Sequence, residues 1–218
     1  MFTTSIFSKH AILMSMNIDN FLAFLTRLEG LKNNTRHSWT STGRRESVAE
    51  HSWRLAMMAW LLRDQFPDID MDQVLMMCLV HDWGEAITGD VPSFYKTTND
   101  DDKEDAAVKM LLDELPAKDK EVLEPLFEAF NKQDTVEARF ARALDKLEVV
   151  IQHNEAPLDT WLPIEYNLNQ DYAESACLEF PYLHELQQKV REDSRQKLRD
   201  AGIDPDGDYL TKNVSDQD

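Results

Sequence analysis

An imidazole and two carboxylates interrupt an apolar run in the stretch Leu75 to Asp90, LMMCLVHDWGEAITGD. His81 and Asp82 resist burial unless something pairs with them. On a helix, His81 to Glu85 is an i,i+4 step and Asp82 to Glu85 an i,i+3 step, so the three side chains lean to one side of a turn. Val74, Cys78, His81 and Glu85 then share a stripe, with Leu75, Leu79 and Asp82 on the neighbouring one. Such a group on an inward face suits a cation. Taken alone, it suits better a core histidine hydrogen-bonded to its own neighbour.

The elements that must hold these residues read as helices. Asn17 or Asp19 caps a first helix whose Ile18, Phe21, Leu22, Leu25 and Leu28 share an apolar face, and Gly30 stops it. A polar connector from Lys32 to Glu46 follows. Its Lys32, Arg36, Arg44 and Arg45 make it locally basic, a candidate anion grip, with Trp39 beside them. Ser47-Val48-Ala49-Glu50 forms a capping box for a helix that turns Val48, Ser52, Leu55, Ala59 and Leu62 inward and places His51 at the core edge. Asp70 caps the helix that carries the central stretch, expected to run unbroken to Thr88-Gly89-Asp90. Helices are expected over Asp100 to Leu115 and Lys118 to Asn131. Another, opened by Asp134 or Thr135, turns Phe140, Leu144, Leu147 and Ile151 inward and carries Asp145 beside that stripe. Residues 161–170 read as an irregular aromatic connector, 172–180 as a short helix and 182–201 as the final one.

Three helices thus present ligand-type residues at their inner edges: His51, then His81 with Asp82, then Asp145. Two imidazoles and two carboxylates suit a divalent transition metal such as Mn²⁺, Co²⁺, Fe²⁺ or Zn²⁺.

Composition narrows the class. Only 6 Gly and 8 Pro in 218 residues, with little alternating β-branched sequence, favour an all-α fold. The expected organisation is one helical-bundle domain over residues 17–202, a loose extension over 1–16 and a disordered tail over 203–218. A net charge of −18 repels the phosphate backbone and argues against binding long nucleic acid. A small phosphorylated ligand is still compatible, because a metal and a few arginines reverse the sign locally. Two cysteines, Cys78 and Cys177, give no disulfide framework and fit a reducing cytoplasm. No apolar run approaches the ~18 residues needed to span a bilayer.

The pattern H…HD…D, with 30 positions from His51 to His81 and 63 from Asp82 to Asp145, resembles that of the HD-domain phosphohydrolase superfamily. The segments SVAEHSWRLAMMAW, LVHDWGEAITGDVPSF and FARALDKLEVVIQHNE are similar to those of HD-domain 5′-deoxynucleotidases, nearest to the eukaryotic-type branch and more distantly to the bacterial enzyme. The likeness runs from about Ile18 to about Leu198. It implies an HD-domain helical bundle, a homodimer, and metal-dependent hydrolysis of deoxynucleoside 5′-monophosphates. By position, His51, His81, Asp82 and Asp145 match the metal ligands, Glu85 the catalytic carboxylate, and Asp90 an acid facing the substrate or a second cation. Arg36 matches a phosphate-binding arginine. His37 stands where the bacterial enzyme has Trp, and Trp39 is the base-stacking surface offered instead.

Histidine-rich dinuclear members of the superfamily need further histidines before the last aspartate, and here none lies between His81 and His153. One transition metal is therefore expected; a second cation, Mg²⁺ by preference, would have to use the oxygens of Glu85 and Asp90. His10, His37, His153 and His184 read as non-ligands. Glu85, a turn beyond the ligands, would orient the attacking water or protonate the leaving O5′. Two other readings share these residues: hydrolysis of a different phosphate ester (a nucleoside triphosphate, a guanosine alarmone or a ribonucleotide), and a helical regulatory protein with a structural metal.

Overall fold

Side-chain caps start five of the helices in the computed structural model, which describes residues 16–209. The Asn17 side chain accepts from the Asn20 N–H and opens α1 (Ile18–Leu28). After α2 (Gly30–Asn33), strands β1 (Thr35–Trp39) and β2 (Arg45–Ser47) pair antiparallel. Ser47 and Glu50 complete the capping box of α3 (Val48–Leu62). Asp70 caps α4 (Met71–Val80), and α5 (Glu85–Thr88) follows a turn. A second capping box, Thr97 with Asp100, opens α6 (Thr98–Asp113). The chain continues through α7 (Ala117–Lys132) and α8 (Val136–Glu155), the latter capped by Thr135. It ends in α9 (Glu165–Asp171), α10 (Glu174–Cys177) and α11 (Pro181–Asp200). The fold is all-α; β1 and β2 form the one sheet among the described residues.

The core gathers around α8. Phe140, Leu144 and Leu147 are fully buried together with Leu55 and Ala59 of α3, Val74 and Cys78 of α4, and Leu183 of α11. Burying each large side chain contributes about 1.5–3 kcal/mol, so the rotation of α8 about its axis is set by its apolar stripe. Asp145 and Glu148 sit next to Leu144 and Leu147 on that helix and inherit this placement.

Several expectations change. The basic connector is a short hairpin of largely polar residues, so it lacks the apolar alternation that marks a strand. The central helix does not run unbroken to Thr88. From Trp83 on, amide groups bond three residues back: Trp83 to Val80, Glu85 to Asp82 and Ala86 to Trp83. α6 packs closely on this tightened turn: a Cβ on Gly84 would meet Glu104 atoms at 2.9 Å. Gly30 does not simply stop a helix. It lets α2 approach α5 so closely that a Cβ there would lie 2.2 Å from the Ala86 carbonyl oxygen. The stripe of Ile18, Phe21, Leu22 and Leu25 on α1 faces outward, and Phe24 is the residue that α1 buries. Its ring meets Trp83 edge-on, with centroids 5.6 Å apart. Part of the aromatic connector is helical, as α9.

Residues 203–209, expected to be disordered, are docked. Asn167 and Gln170 of α9 donate to the carbonyls of Gly207 and Pro205 at 2.9 and 2.8 Å, and Arg195 of α11 pairs with Asp206 at 2.8 Å. The expectations for residues 1–15 and 210–218 lie outside the described residues.

Candidate metal centre and cleft

His51 lies in the first turn of α3 and is fully buried. Its Nδ1 is 2.5 Å from Glu148 Oε2, itself fully buried on α8. A proton on Nδ1 directed at that carboxylate leaves the Nε2 lone pair free. His81, at the end of α4, repeats the device, with Nδ1 3.2 Å from the Cys78 carbonyl oxygen. Both Nε2 atoms are buried without a hydrogen-bond partner.

They converge on two carboxylates. His51 Nε2 is 3.2 Å from Asp145 Oδ1 and 3.9 Å from Asp82 Oδ2; His81 Nε2 is 3.1 Å from Asp82 Oδ2 and 3.8 Å from Asp145 Oδ1. Ligand atoms of His51, His81 and Asp145 all lie within 4.8 Å of one another. Arg142 donates to the other oxygen of Asp145 at 3.2 Å, turning Oδ1 toward the imidazoles. Two orphaned imidazole nitrogens facing two carboxylates form a donor set that fits a divalent cation. The Nδ1 partners hold the tautomer that ligation requires.

Electrostatics agree with this geometry. Burial pushes Asp82 up, but His81, His51 and Arg36 together hold it below the usual carboxylate range. Asp145 is likewise pushed up by burial and held low by His51, His81 and Arg142. Burial and Arg36 press the His51 imidazole down, yet Glu148 and Asp145 outweigh them and push it up to about 10. A second proton therefore competes with a cation for Nε2, and ligation must displace it. Calorimetry in buffers of different ionisation enthalpy should show release of about one proton per cation at pH 7, with affinity rising with pH. Proton-neutral binding would contradict this.

Glu148 was not assigned a role from the sequence. Its signal was its i+3 position from Asp145, on the same helical stripe. Glu148→Gln should weaken metal binding about 10–100-fold, the usual size for such a partner. Chelator competition measures this; an unchanged affinity would remove Glu148 from the centre.

The centre opens into a cleft with about 810 Å³ of empty space, including its mouth, lined in part by Arg36, Asp82, Glu85, Asp90, Lys96 and Asp145. Arg36 on β1 approaches Asp82 Oδ2 at 3.4 Å and Glu46 Oε2 at 3.7 Å, and stands over the centre with its charge reinforced. Glu85, on the first turn of α5, is buried, and its Oε2 has no hydrogen-bond partner. Burial, with Asp82 and Asp90 adding to it, pushes the carboxyl up to about 10. A cation at the neighbouring centre opposes the repulsion by these carboxylates and lowers that value. Asp90 follows Gly89, whose φ of 76° makes the turn after α5 that delivers it to the cleft. Burial raises Asp90 too, partly offset by Arg36.

Trp39 is corrected. It is not among the cleft-lining residues, but stacks edge-on against His37 at 4.9 Å under the Arg45 guanidinium. The aromatic lining comes instead from His37, Phe94 and Tyr172. His37 and His153, read as non-ligands, contribute to the wall without joining the His51 and His81 cluster. Lys96, paired with Glu104 and 3.5 Å from Asp101, is a lining cation that sequence reasoning passed over. It follows Asp90 by one short loop, and that proximity was the available clue.

Known proteins fit this picture. The HD-domain family model matches residues 28–181. The chain is 31% identical over 140 residues to 5′-deoxynucleotidase HDDC2 of Bos taurus, covering 62% of this chain and 67% of that one. It is 28% identical over 151 residues to 5′-deoxynucleotidase YGK1 of Saccharomyces cerevisiae, covering 65% and 69%. Among solved structures, a predicted metal-dependent phosphohydrolase from Magnetospirillum magnetotacticum superimposes with a TM-score of 0.70 at 25% identity, over 86% of this chain and 96% of that one. With the match spanning both imidazoles, both aspartates and the helices that carry them, the chain belongs to the HD-domain family.

Proposed function

We propose that this chain hydrolyses deoxynucleoside 5′-monophosphates to deoxynucleosides and phosphate, using a divalent cation held by His51, His81, Asp82 and Asp145. The observation that carries the reading is the convergence of two unpartnered Nε2 atoms on two carboxylates at the base of a cleft that also holds Arg36, Lys96 and Glu85. The relatives named 5′-deoxynucleotidase supply the substrate class. The cation, Mn²⁺, Co²⁺, Fe²⁺ or Zn²⁺ by its donor set, supplies Lewis-acid neutralisation of phosphoryl charge and activation of water. Arg36 and Lys96 hold the phosphate by charge-assisted hydrogen bonds. Glu85 orients the water or passes a proton to O5′, and Asp90 faces the substrate or joins Glu85 around a second cation, Mg²⁺ by its oxygen ligands.

The test is phosphate release from a panel of deoxynucleotides, ribonucleotides, nucleoside triphosphates and guanosine alarmones, with each metal and after chelation. Metal-dependent release from deoxynucleoside monophosphates is expected. Release confined to another member would transfer the activity to that ester, and none at all with metal bound would favour a regulatory protein.

The same reading makes the protein a cytoplasmic homodimer. Both cysteines are free and buried, and no helix among the described residues is long and apolar enough to cross a membrane. Trp53, Met57, Trp60 and Leu61 form an exposed stripe on α3, with exposed Met76 and Leu79 on α4. Apolar surface of this kind marks an interaction site, and a second copy is the occupant proposed. Light scattering should give twice the 25.3 kDa chain mass for the wild type and the single mass for Trp60→Glu. A monomeric wild type would refute the dimer.

A further inference from the structure

Away from the cation ligands, the cleft wall carries a second group of buried polar atoms whose hydrogen-bonding capacity is unused. Glu165 and Asn169 stand one turn apart on α9, so their side chains share a face. They are 2% and 4% exposed, and both line the cleft. In each, one polar atom is committed. Glu165 Oε2 accepts from the Leu162 N–H at 2.6 Å, and Asn169 Oδ1 lies 2.9 Å from His153 Nδ1. His153 is fixed in turn by the His37 carbonyl, 3.1 Å from its Nε2. The other atoms, Glu165 Oε1 and Asn169 Nδ2, have no hydrogen-bond partner. His37 Nε2 is 3.4 Å from Glu165 Oε1 and His153 Nε2 is 3.9 Å from it, neither in hydrogen-bonding geometry.

Holding the Leu162 N–H requires one oxygen, and holding His153 requires one end of an amide. Glu165 Oε1, within ion-pair distance of the His37 and His153 imidazoles, and Asn169 Nδ2 hold no hydrogen bond within the fold, and unsatisfied polar groups in a buried wall destabilise it. A carboxylate rejects the substrate's phosphate, which belongs with Arg36 and Lys96. What the pair fits is a neutral group that donates to one atom and accepts from the other. A hydroxyl does both through a single oxygen.

We infer that Glu165 and Asn169 form the sugar-hydroxyl subsite of the cleft, with Glu165 Oε1 accepting from the substrate's 3′-hydroxyl and Asn169 Nδ2 donating to it. This rests on the deoxynucleotidase reading, because the 3′-hydroxyl is the one sugar hydroxyl of a deoxynucleoside 5′-monophosphate. It makes both residues determinants of specificity, remote from the cation ligands in sequence and not assigned by the family motif.

The experiment compares kcat/KM for a deoxynucleoside 5′-monophosphate, its 2′,3′-dideoxy analogue and base-free 2-deoxyribose 5-phosphate. The enzymes are the wild type, Glu165→Gln and Asn169→Asp, all checked for matching thermal melts. Glu165→Gln preserves an oxygen for Leu162, and Asn169→Asp preserves one for His153. Removing the hydroxyl should cost the wild type about 10–100-fold, the range of a hydrogen bond to a charged group. Each variant should lose a comparable factor on the two hydroxylated substrates and little on the dideoxy one. Equal losses on all three substrates would assign the residues a structural role and overturn the proposal. Losses that vanish only on the base-free substrate would overturn it in favour of base recognition. If the wild type hydrolyses no deoxynucleotide, the functional reading has failed, and calorimetry decides the subsite separately. A preference of the wild type for a deoxynucleoside over its dideoxy analogue, abolished in Glu165→Gln, supports it; no preference overturns it.

Discussion

Glu85→Gln is expected to lower kcat by about 10²–10⁴-fold, the usual contribution of a positioned acid or base, while transition-metal content and thermal stability stay at wild-type levels. The side chain is buried at the start of α5, and its backbone carbonyl is held by Asn34 Nδ2 at 2.5 Å. An amide of the same shape therefore keeps the segment in place. What it removes is an ionisable carboxylate beside the proposed ligands that makes no ion pair among the described residues and leaves Oε2 without a partner. The four ligands and Arg36 remain, so KM should move far less than kcat. Rapid-quench turnover together with metal analysis reads both quantities, and full turnover in the variant would take Glu85 out of the mechanism.

His51→Ala should have two separable consequences. The centre loses a ligand and with it stoichiometric metal and activity. Independently, Glu148 is left as a buried carboxylate without its imidazole, a defect that costs about 3–5 kcal/mol when one partner of a buried pair is removed. Arg54, 3.7 Å from the other Glu148 oxygen, offsets part of this. In the metal-free protein the pair stabilises fully below the ordinary imidazole pKa. Because His51 is raised to about 10, that contribution fades as pH climbs through that value. The gap between wild type and His51→Ala in urea denaturation should therefore be largest below pH 6.5 and narrow above 10. The double variant His51→Leu, Glu148→Leu should recover much of the stability but none of the metal. A gap that is absent at every pH would mean the pair does not support the fold.

The four proposed cation ligands were legible because local rules placed them. Capping at Ser47, Asp70 and Thr135 set where three helices begin, and apolar periodicity set which edge of each turns inward. Second-rank features depended on contacts between distant segments. Glu148 acquires its role from His51, 97 positions away in the chain. The aromatic ring of Trp39 suggested a place in the cleft, but the ring packs edge-on against His37 under the Arg45 guanidinium, a contact made only in the folded hairpin. The break after Val80 lies beside the close approach of α6 to Gly84, a contact between segments that local periodicity does not report. Periodicity correctly marked α1 as amphipathic, but it could not say whether the apolar face meets this chain's core or something else. The α9 helix escaped notice because its inward side chains are polar, Glu165, Asn169 and Gln170, so hydrophobic periodicity had nothing to detect.

The docked stretch from Asp204 to Tyr209 leans on that same α9 from behind. Gln170 binds the Pro205 carbonyl while Glu165 and Asn169 look into the cleft. One side of a two-turn helix therefore handles ligand and the other is buttressed by polypeptide that sequence inspection would trim as dispensable. Proteolytic clipping or a shortened gene ending at Gly202 would leave every metal ligand intact and still unsettle the wall that receives the nucleoside. Loss of selectivity, rather than loss of metal, would be the symptom.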